Sequence, residues 1–182
     1  NQMISDDILK VLLNEEQIEK RCVELAEQIE SDYEKLHAVP IVVGLLKGSV
    51  PFMAELIKRF TFDCEIDFMS VSSYDGTESI GDVRIEKDMD ISCKGRHILV
   101  VEDIVDTGRT LREVKQMFMN KGATDVKIVS LLDKPERRVV DIKADYVGYT
   151  VPNEFVVGYG LDYNQKYRNL PFIGILKPEI YE

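Results

Sequence analysis

Val100-Val101-Glu102-Asp103-Ile104-Val105-Asp106-Thr107-Gly108-Arg109-Thr110-Leu111 is the stretch on which the reading of this chain turns. A buried strand over His97 to Val101 ends in two adjacent carboxylates, and a third follows at Asp106. A small, hydroxyl-rich turn then leads into a helix over Thr110 to Lys121, with Leu111, Val114 and Phe118 inward and Gly122 as its stop. In open parallel sheets, ligands bind beyond the carboxyl ends of the strands. Backbone N–H groups at such a helix start, together with the Thr107 and Thr110 hydroxyls, make a phosphate cradle. Adjacent carboxylates beside a phosphate site invite Mg²⁺, a hard cation that takes oxygen ligands. Taken alone, the turn reads equally well as an N-cap, and Glu102-Asp103 as a solvated edge. Three clustered carboxylates tip the balance, because their repulsion costs stability unless something cationic binds.

Outward from that stretch, the elements alternate. Pro40 opens Ile41-Val42-Val43-Gly44-Leu45-Leu46, a strand apolar on both faces, as parallel sheets require. A short helix follows Lys47-Gly48-Ser49, with Phe52, Leu56 and Ile57 as core. Ile66 and Phe68 alternate with Glu65 and Asp67, which predicts a half-exposed strand. Residues 72–82 are almost all polar or Gly and read as a loop, with a return strand at Val83 and Ile85. Val126 to Leu132, Tyr146 to Tyr149 and Phe172 to Leu176 are further strands. Near the start, Asn14 and Gln17 form a variant capping box. Behind it Ile18, Cys22, Leu25, Ile29 and Tyr33 make an amphipathic helix of about 20 residues. This alternation predicts an α/β fold with an open, mainly parallel sheet flanked by helices, in one domain over residues 1–182.

Composition closes off several function classes. Lys plus Arg is 23 against 33 for Asp plus Glu, a net charge of −10. Ten acids face four bases in residues 1–36 alone. A protein that gripped nucleic acid by diffuse phosphate attraction would not be built this way. An anionic substrate is allowed, provided local donors or a metal offset the field. No apolar run reaches the ~18 residues of a membrane span, and no signal peptide opens the chain. Cys22, Cys64 and Cys93 are odd in number and widely spaced, so reduced thiols in a cytoplasmic protein are expected, and a disulfide framework or zinc site is not. Of the two histidines, His97 reads as a strand-edge residue rather than a base. There is no P-loop, and Gly158-Tyr159-Gly160 lacks the third glycine of a dinucleotide loop. A receiver domain is rejected, since its acid pair would follow the first strand, whereas about a hundred residues precede Glu102.

Residues 100–111 resemble the 5-phosphoribosyl pyrophosphate (PRPP) signature of type I phosphoribosyltransferases. Further segments narrow the resemblance: Leu46-Lys47-Gly48-Ser49, Ser73-Tyr74, Leu131-Leu132-Asp133-Lys134-Pro135, Phe155 to Tyr163 and Tyr167-Arg168-Asn169-Leu170. Together they are similar to the hypoxanthine-guanine branch of that family, from residue 5 onward. The tip Asp75-Gly76-Thr77-Glu78-Ser79 departs from the pattern.

The resemblance implies the type I phosphoribosyltransferase fold, with a small hood made from parts of the N- and C-terminal segments. It also implies roles. Glu102 and Asp103 would hold the ribose hydroxyls and one Mg²⁺. Asp106, Thr107, Gly108, Arg109 and Thr110 would surround the 5′-phosphate, with Asp106 also the general base at purine N7. Lys47 and Gly48, joined to Leu46 by a cis bond, would meet the pyrophosphate, with Arg168 as the second cation there. Lys134 would donate to the purine 6-oxo group, Phe155 would stack on the ring, and the Val156 backbone would read the base edge. Asp162 would fix a second Mg²⁺ and lie near the purine. Ser73 and Tyr74 would belong to a lid over 72–82. Residues alone read Lys47 and Arg168 as surface charge, Lys134 as a surface lysine, and Phe155-Val156-Val157 as core strand. The expected activity is transfer of 5-phosphoribosyl from PRPP to N9 of hypoxanthine or guanine, giving IMP or GMP and pyrophosphate. The alternative is a regulator of the same fold that binds RNA, against which the charge and the lack of a basic, aromatic-interleaved face both count. Expected partners are PRPP, the purines and further copies of the chain in a dimer or tetramer, with no nucleic acid and no membrane.

Overall fold

The computed structural model describes residues 3–73 and 83–182. After a 3-10 turn at Ile4–Asp7 come β1 (Ile8–Leu13), α1 (Glu15–Leu36), β2 (Ile41–Leu45), α2 (Val50–Ile57), β3 (Glu65–Ser73) and β4 (Val83–Lys87). They are followed by β5 (His97–Val105), α3 (Arg109–Asn120), β6 (Asp125–Asp133), a 3-10 turn at Pro135–Arg137, β7 (Tyr146–Thr150), β8 (Val156–Val157), β9 (Ile173–Leu176) and α4 (Pro178–Tyr181). Six strands form the main sheet in the order β4-β3-β2-β5-β6-β7. All its pairings are parallel except β3 with β4. The sheet is mainly parallel and flanked by helices, as expected.

Two-sided burial explains the apolar strands. Val42, Leu99 and Val101 pack into a cluster with Ile18, Leu25 and Ile29 of α1 and Phe52 and Leu56 of α2. Val43, Ile98 and Val100 point the other way, to Leu111, Val114 and Phe118 of α3. The α1 cap is as predicted: Gln17 N–H donates to Asn14 Oδ1 at 2.8 Å and the Gln17 side chain accepts from Asn14 N–H at 2.9 Å.

Three expectations change. β5 does not stop at Val101 but runs through the carboxylates to Val105, because β6 keeps pairing with it as far as Val105 with Asp133. On β3 burial does not follow the alternation: Ile66 is exposed, Asp67 is buried, and Phe68, on the face of Ile66, packs against the core. The Asp67 carboxylate is satisfied there by backbone N–H groups of Phe68, Asp90 and Ile91, each at 2.8 Å. Ser72 and Ser73 belong to β3, paired with Arg84 and Val83, rather than to a loop. Tyr74 and the rest of the proposed lid lie outside the described residues.

A second, antiparallel sheet, β1-β9-β8, joins the first strand to the last two. It brings the N- and C-terminal segments together as a small hood sheet; β8 falls within the Phe155-Val156-Val157 strand read from the residues, whereas β1 is not apparent from the sequence pattern.

Candidate active site

The carboxyl end of β5 and the start of α3 border a cavity of about 320 Å³, lined by Glu102, Asp103, Asp106, Thr107, Gly108 and Thr110. Gly108 caps α3 with φ of 87°, and a Cβ there would come within 2.3 Å of Ile142 Cγ2. Only glycine fits that left-handed corner. Arg109 N–H donates to Thr107 Oγ1 at 3.4 Å, and Thr107 O accepts from Val139 N–H at 3.1 Å, so the turn is tied to the next loop. Arg109 itself opens α3, outside this lining. Burial and the neighbouring Asp103 charge push the Glu102 carboxyl well up, and burial pushes Asp103 up as well. Two adjacent, half-buried carboxylates favour a cation beside them.

Beside them runs the loop after β2. The Leu46-Lys47 bond is cis. A Cβ on Gly48 would sit 1.9 Å from Asp103 Oδ2, and one on Gly160 would sit 1.9 Å from Gly48 O. The loop is therefore stacked between the β5 carboxylate and the 158–161 turn with no room for side chains. Lys47 Nζ donates to Gln165 Oε1 at 3.4 Å, and Arg168 Nη2 donates to the same oxygen at 3.2 Å. Arg168 Nη1 donates to Gly160 O at 2.7 Å, and Nη2 lies 3.5 Å from Asp162 Oδ2. Arg168 Nε is buried without a hydrogen-bond partner. The two cations that the sequence scatters are thus gathered by one amide oxygen. Gln165 was not foreseen as a site residue; its only signal is a polar pair, Asn164-Gln165, with positive φ at both residues, which sequence does not display.

A second cavity, about 390 Å³, is lined by Asp106, Lys134, Arg137, Phe155, Val156 and Asp162, with Ile104 and Leu161 among its apolar walls. Burial pulls the Lys134 ammonium below the usual lysine range, with the nearby Asp106 charge opposing that shift. Arg137 Nε donates to Asp106 Oδ1 at 3.1 Å, and Arg138 Nε donates to Asp106 O at 3.1 Å. Ile104 and Asp106 line both cavities. Sequence reasoning missed Ile104 and Arg137; the basic pair Arg137-Arg138 after Lys134 was the available signal for the latter.

Among the described residues no three His, Cys, Asp or Glu side chains meet as a metal cage. Glu102 and Asp103 form a pair, and Asp162 is held by Arg168 and by Gln165 N–H at 2.9 Å. One cavity offers hydroxyls and backbone N–H groups at a helix start, the other apolar walls with a lysine among its lining residues. Asp106 stands where the two open into one another.

Residues 9–164 match the family model described as phosphoribosyl transferase domain. The chain is 57% identical over 175 residues to the hypoxanthine-guanine phosphoribosyltransferase of Lactococcus lactis, covering 96% of this chain and 94% of that one. It is 54% identical to that of Streptococcus pneumoniae, covering 98% and 99%. The crystal structure of a hypoxanthine phosphoribosyltransferase from Staphylococcus aureus superposes with a TM-score of 0.93 at 50% identity, over all of this chain and 98% of that one.

Proposed function

The chain belongs to the phosphoribosyl transferase family, and we propose that its paired cavities carry the transfer of 5-phosphoribosyl from PRPP to N9 of hypoxanthine or guanine. It is a purine salvage enzyme that yields IMP or GMP and pyrophosphate. The observation that carries the reading is Asp106, a carboxylate on the shared wall of a phosphate cavity and a ring cavity. The names of the relatives favour transfer over an RNA-binding regulator.

In this reading the Thr107 and Thr110 hydroxyls and the first N–H groups of α3 hold the 5′-phosphate. Lys47 and Arg168 hold the pyrophosphate. Their charge stabilises the leaving group as the bond from C1′ to its oxygen breaks. Phe155 packs against the purine, and Lys134 donates to its 6-oxo oxygen. As N9 bonds to C1′, the proton on N7 passes to the Asp106 carboxylate, so positive charge does not build on the ring. Arg137 donates to one oxygen of that carboxylate, Oδ1.

Mg²⁺ fits the Glu102-Asp103 pair. The two carboxyls are adjacent, and burial raises both above the usual range, so a divalent cation offsets what burial costs their charged forms. When bound it would neutralise diphosphate charge beside the ribose hydroxyls, and Asp162 is the candidate for a second ion. A cytoplasmic setting is supported by the three free cysteines. No helix among the described residues is long and apolar enough to cross a membrane. Exposed Ile66 and Ile85 on β3 and β4 support association into a dimer or tetramer.

The test is release of pyrophosphate from PRPP and Mg²⁺ with each purine in turn. Release with hypoxanthine and guanine and none with adenine is expected; no release with any purine would overturn the proposal.

A further inference from the structure

Phe155 is the ring on which the proposed purine would lie, and a bare benzyl group at the mouth of a 390 Å³ cavity has little to fix its plane. The structure supplies that fixing from α4. The Tyr181 ring stacks on Phe155 with centroids 4.6 Å apart and planes 23° from parallel. Tyr163 meets the same ring edge-on, at 5.6 Å and 78°, and lies 6.4 Å from Tyr181. Both arrangements are those that aromatic quadrupoles favour. Among the described residues that line the cavity, Phe155 is present and neither tyrosine is, so the stack lies on the side of Phe155 away from the cavity.

The helix that carries Tyr181 is itself held in place. Leu176 N–H donates to Phe155 O at 2.9 Å, and Lys177 N–H donates to Asp7 O at 2.9 Å. Pro178 opens the turn, and Ile180 packs with Phe155 against Val157, Tyr167, Leu170 and Leu176. The backbone on both sides of the ring pair is therefore set by the hood sheet, and the rings have a fixed separation. Tyr181 is 37% exposed, which is unusual for a ring whose only task is to fill a core.

We propose that Tyr181 is a positioning residue of the purine site. Resting on the transferase reading above, it braces Phe155 from behind, so that the purine meets a ring already in the stacking plane. The ring of Tyr181 does this, not its hydroxyl. Prepaying the ordering of Phe155 strengthens purine binding and leaves the PRPP side, built on β5 and α3, untouched.

Steady-state kinetics on the full chain separates this from a general role in folding. Tyr181→Ala is expected to raise KM for hypoxanthine by roughly tenfold, the factor a stacked aromatic pair is worth. KM for PRPP should stay within about twofold of the parent, because that site shares no residue with the stack. Tyr181→Phe should restore the parent KM for hypoxanthine, and Tyr181→Leu, which keeps apolar cover without a ring face, should not. An unchanged hypoxanthine KM in Tyr181→Ala, a parallel rise in both KM values, or full recovery with Leu would each overturn the inference. Absence of hypoxanthine-dependent pyrophosphate release in the parent enzyme would instead overturn the transferase reading, and is visible before any variant is made.

Discussion

Asp106 was legible as a single letter, the third carboxylate after a strand end, because its position relative to a glycine turn is local information. What surrounds it was not. Arg137 reaches it from 31 residues away through the loop after β6, and Ile104 became a wall of both cavities only because β5 continued past Val101. In the proposed role of proton acceptor, Asp106 cannot be replaced by an amide of the same shape. Asp106→Asn should lower kcat by ~10²-fold or more while PRPP binding, measured by equilibrium titration, survives. Lys134 gives a second check through pH. Burial disfavours its charged form, so it loses its proton at lower pH than a free lysine. The charged donor is the form that binds a 6-oxo oxygen, so efficiency with hypoxanthine should fall as pH rises, with a midpoint below the ordinary lysine value. In Lys134→Gln, where nothing remains to titrate, efficiency is already low and this limb should be missing from the variant's profile, so that it survives in the ratio of parent to variant. An identical alkaline limb in the variant would remove Lys134 from purine recognition.

At the scale of elements, helices were easier to read than the sheet. α1 announced itself by its cap and by five inward residues, from Ile18 to Tyr33, all buried, and the structure adds Ala26 to them. Asn14→Ala should cost about 1 kcal/mol, seen as a fall in Tm of roughly 2–4 °C. Since Asn14 touches neither cavity, KM for both substrates should hold. β3 was legible as a half-exposed strand, but alternation does not show that a carboxylate is one of its buried groups; three backbone N–H groups satisfy Asp67 there. β8 was legible as an apolar run at Phe155-Val156-Val157, but its two residues carry no period that would show its pairing with β9. The loop after β2 is where sequence says least and packing most. Gly48 has ordinary flexibility on paper, yet a methyl there would strike the Asp103 carboxylate. Gly48→Ala should therefore push Asp103 out of place and cut kcat/KM for PRPP by ~10²-fold, the usual result of an ångström of misplacement in a site. Thermal unfolding of this variant should change little, because the displaced carboxylate can swing into the open cavity. A large loss of Tm with intact kinetics would contradict that account.

At the scale of the molecule, the charge of −10 and the polyanionic substrate appear to be at odds, and the layout of the site resolves the conflict by distance. The excess acids are spread over the surface, with a concentration in residues 1–36, whereas Lys47 and Arg168 are drawn together by the Gln165 amide at the substrate's end of the sheet. The neutral amide oxygen orients both cations without adding negative charge, while Asp162, 3.5 Å from Arg168, offsets part of that guanidinium's charge. An approaching PRPP is thus repelled from afar and attracted only within the last few ångströms. Salt screens the distant part over a Debye length of about 10 Å at 0.1 M and leaves contacts in a partly buried site mostly intact. The second-order rate constant kcat/KM for PRPP, at fixed Mg²⁺, should therefore stay level or rise by up to about threefold as KCl goes from about 20 to about 200 mM. An enzyme that drew its substrate in with a positive surface would lose tenfold or more over the same range. Hypoxanthine, which is neutral, serves as the control and should show no trend. A steep fall for PRPP alone would mean that the cations at the carboxyl end of the sheet, and not the acidic surface, set the field that the substrate meets.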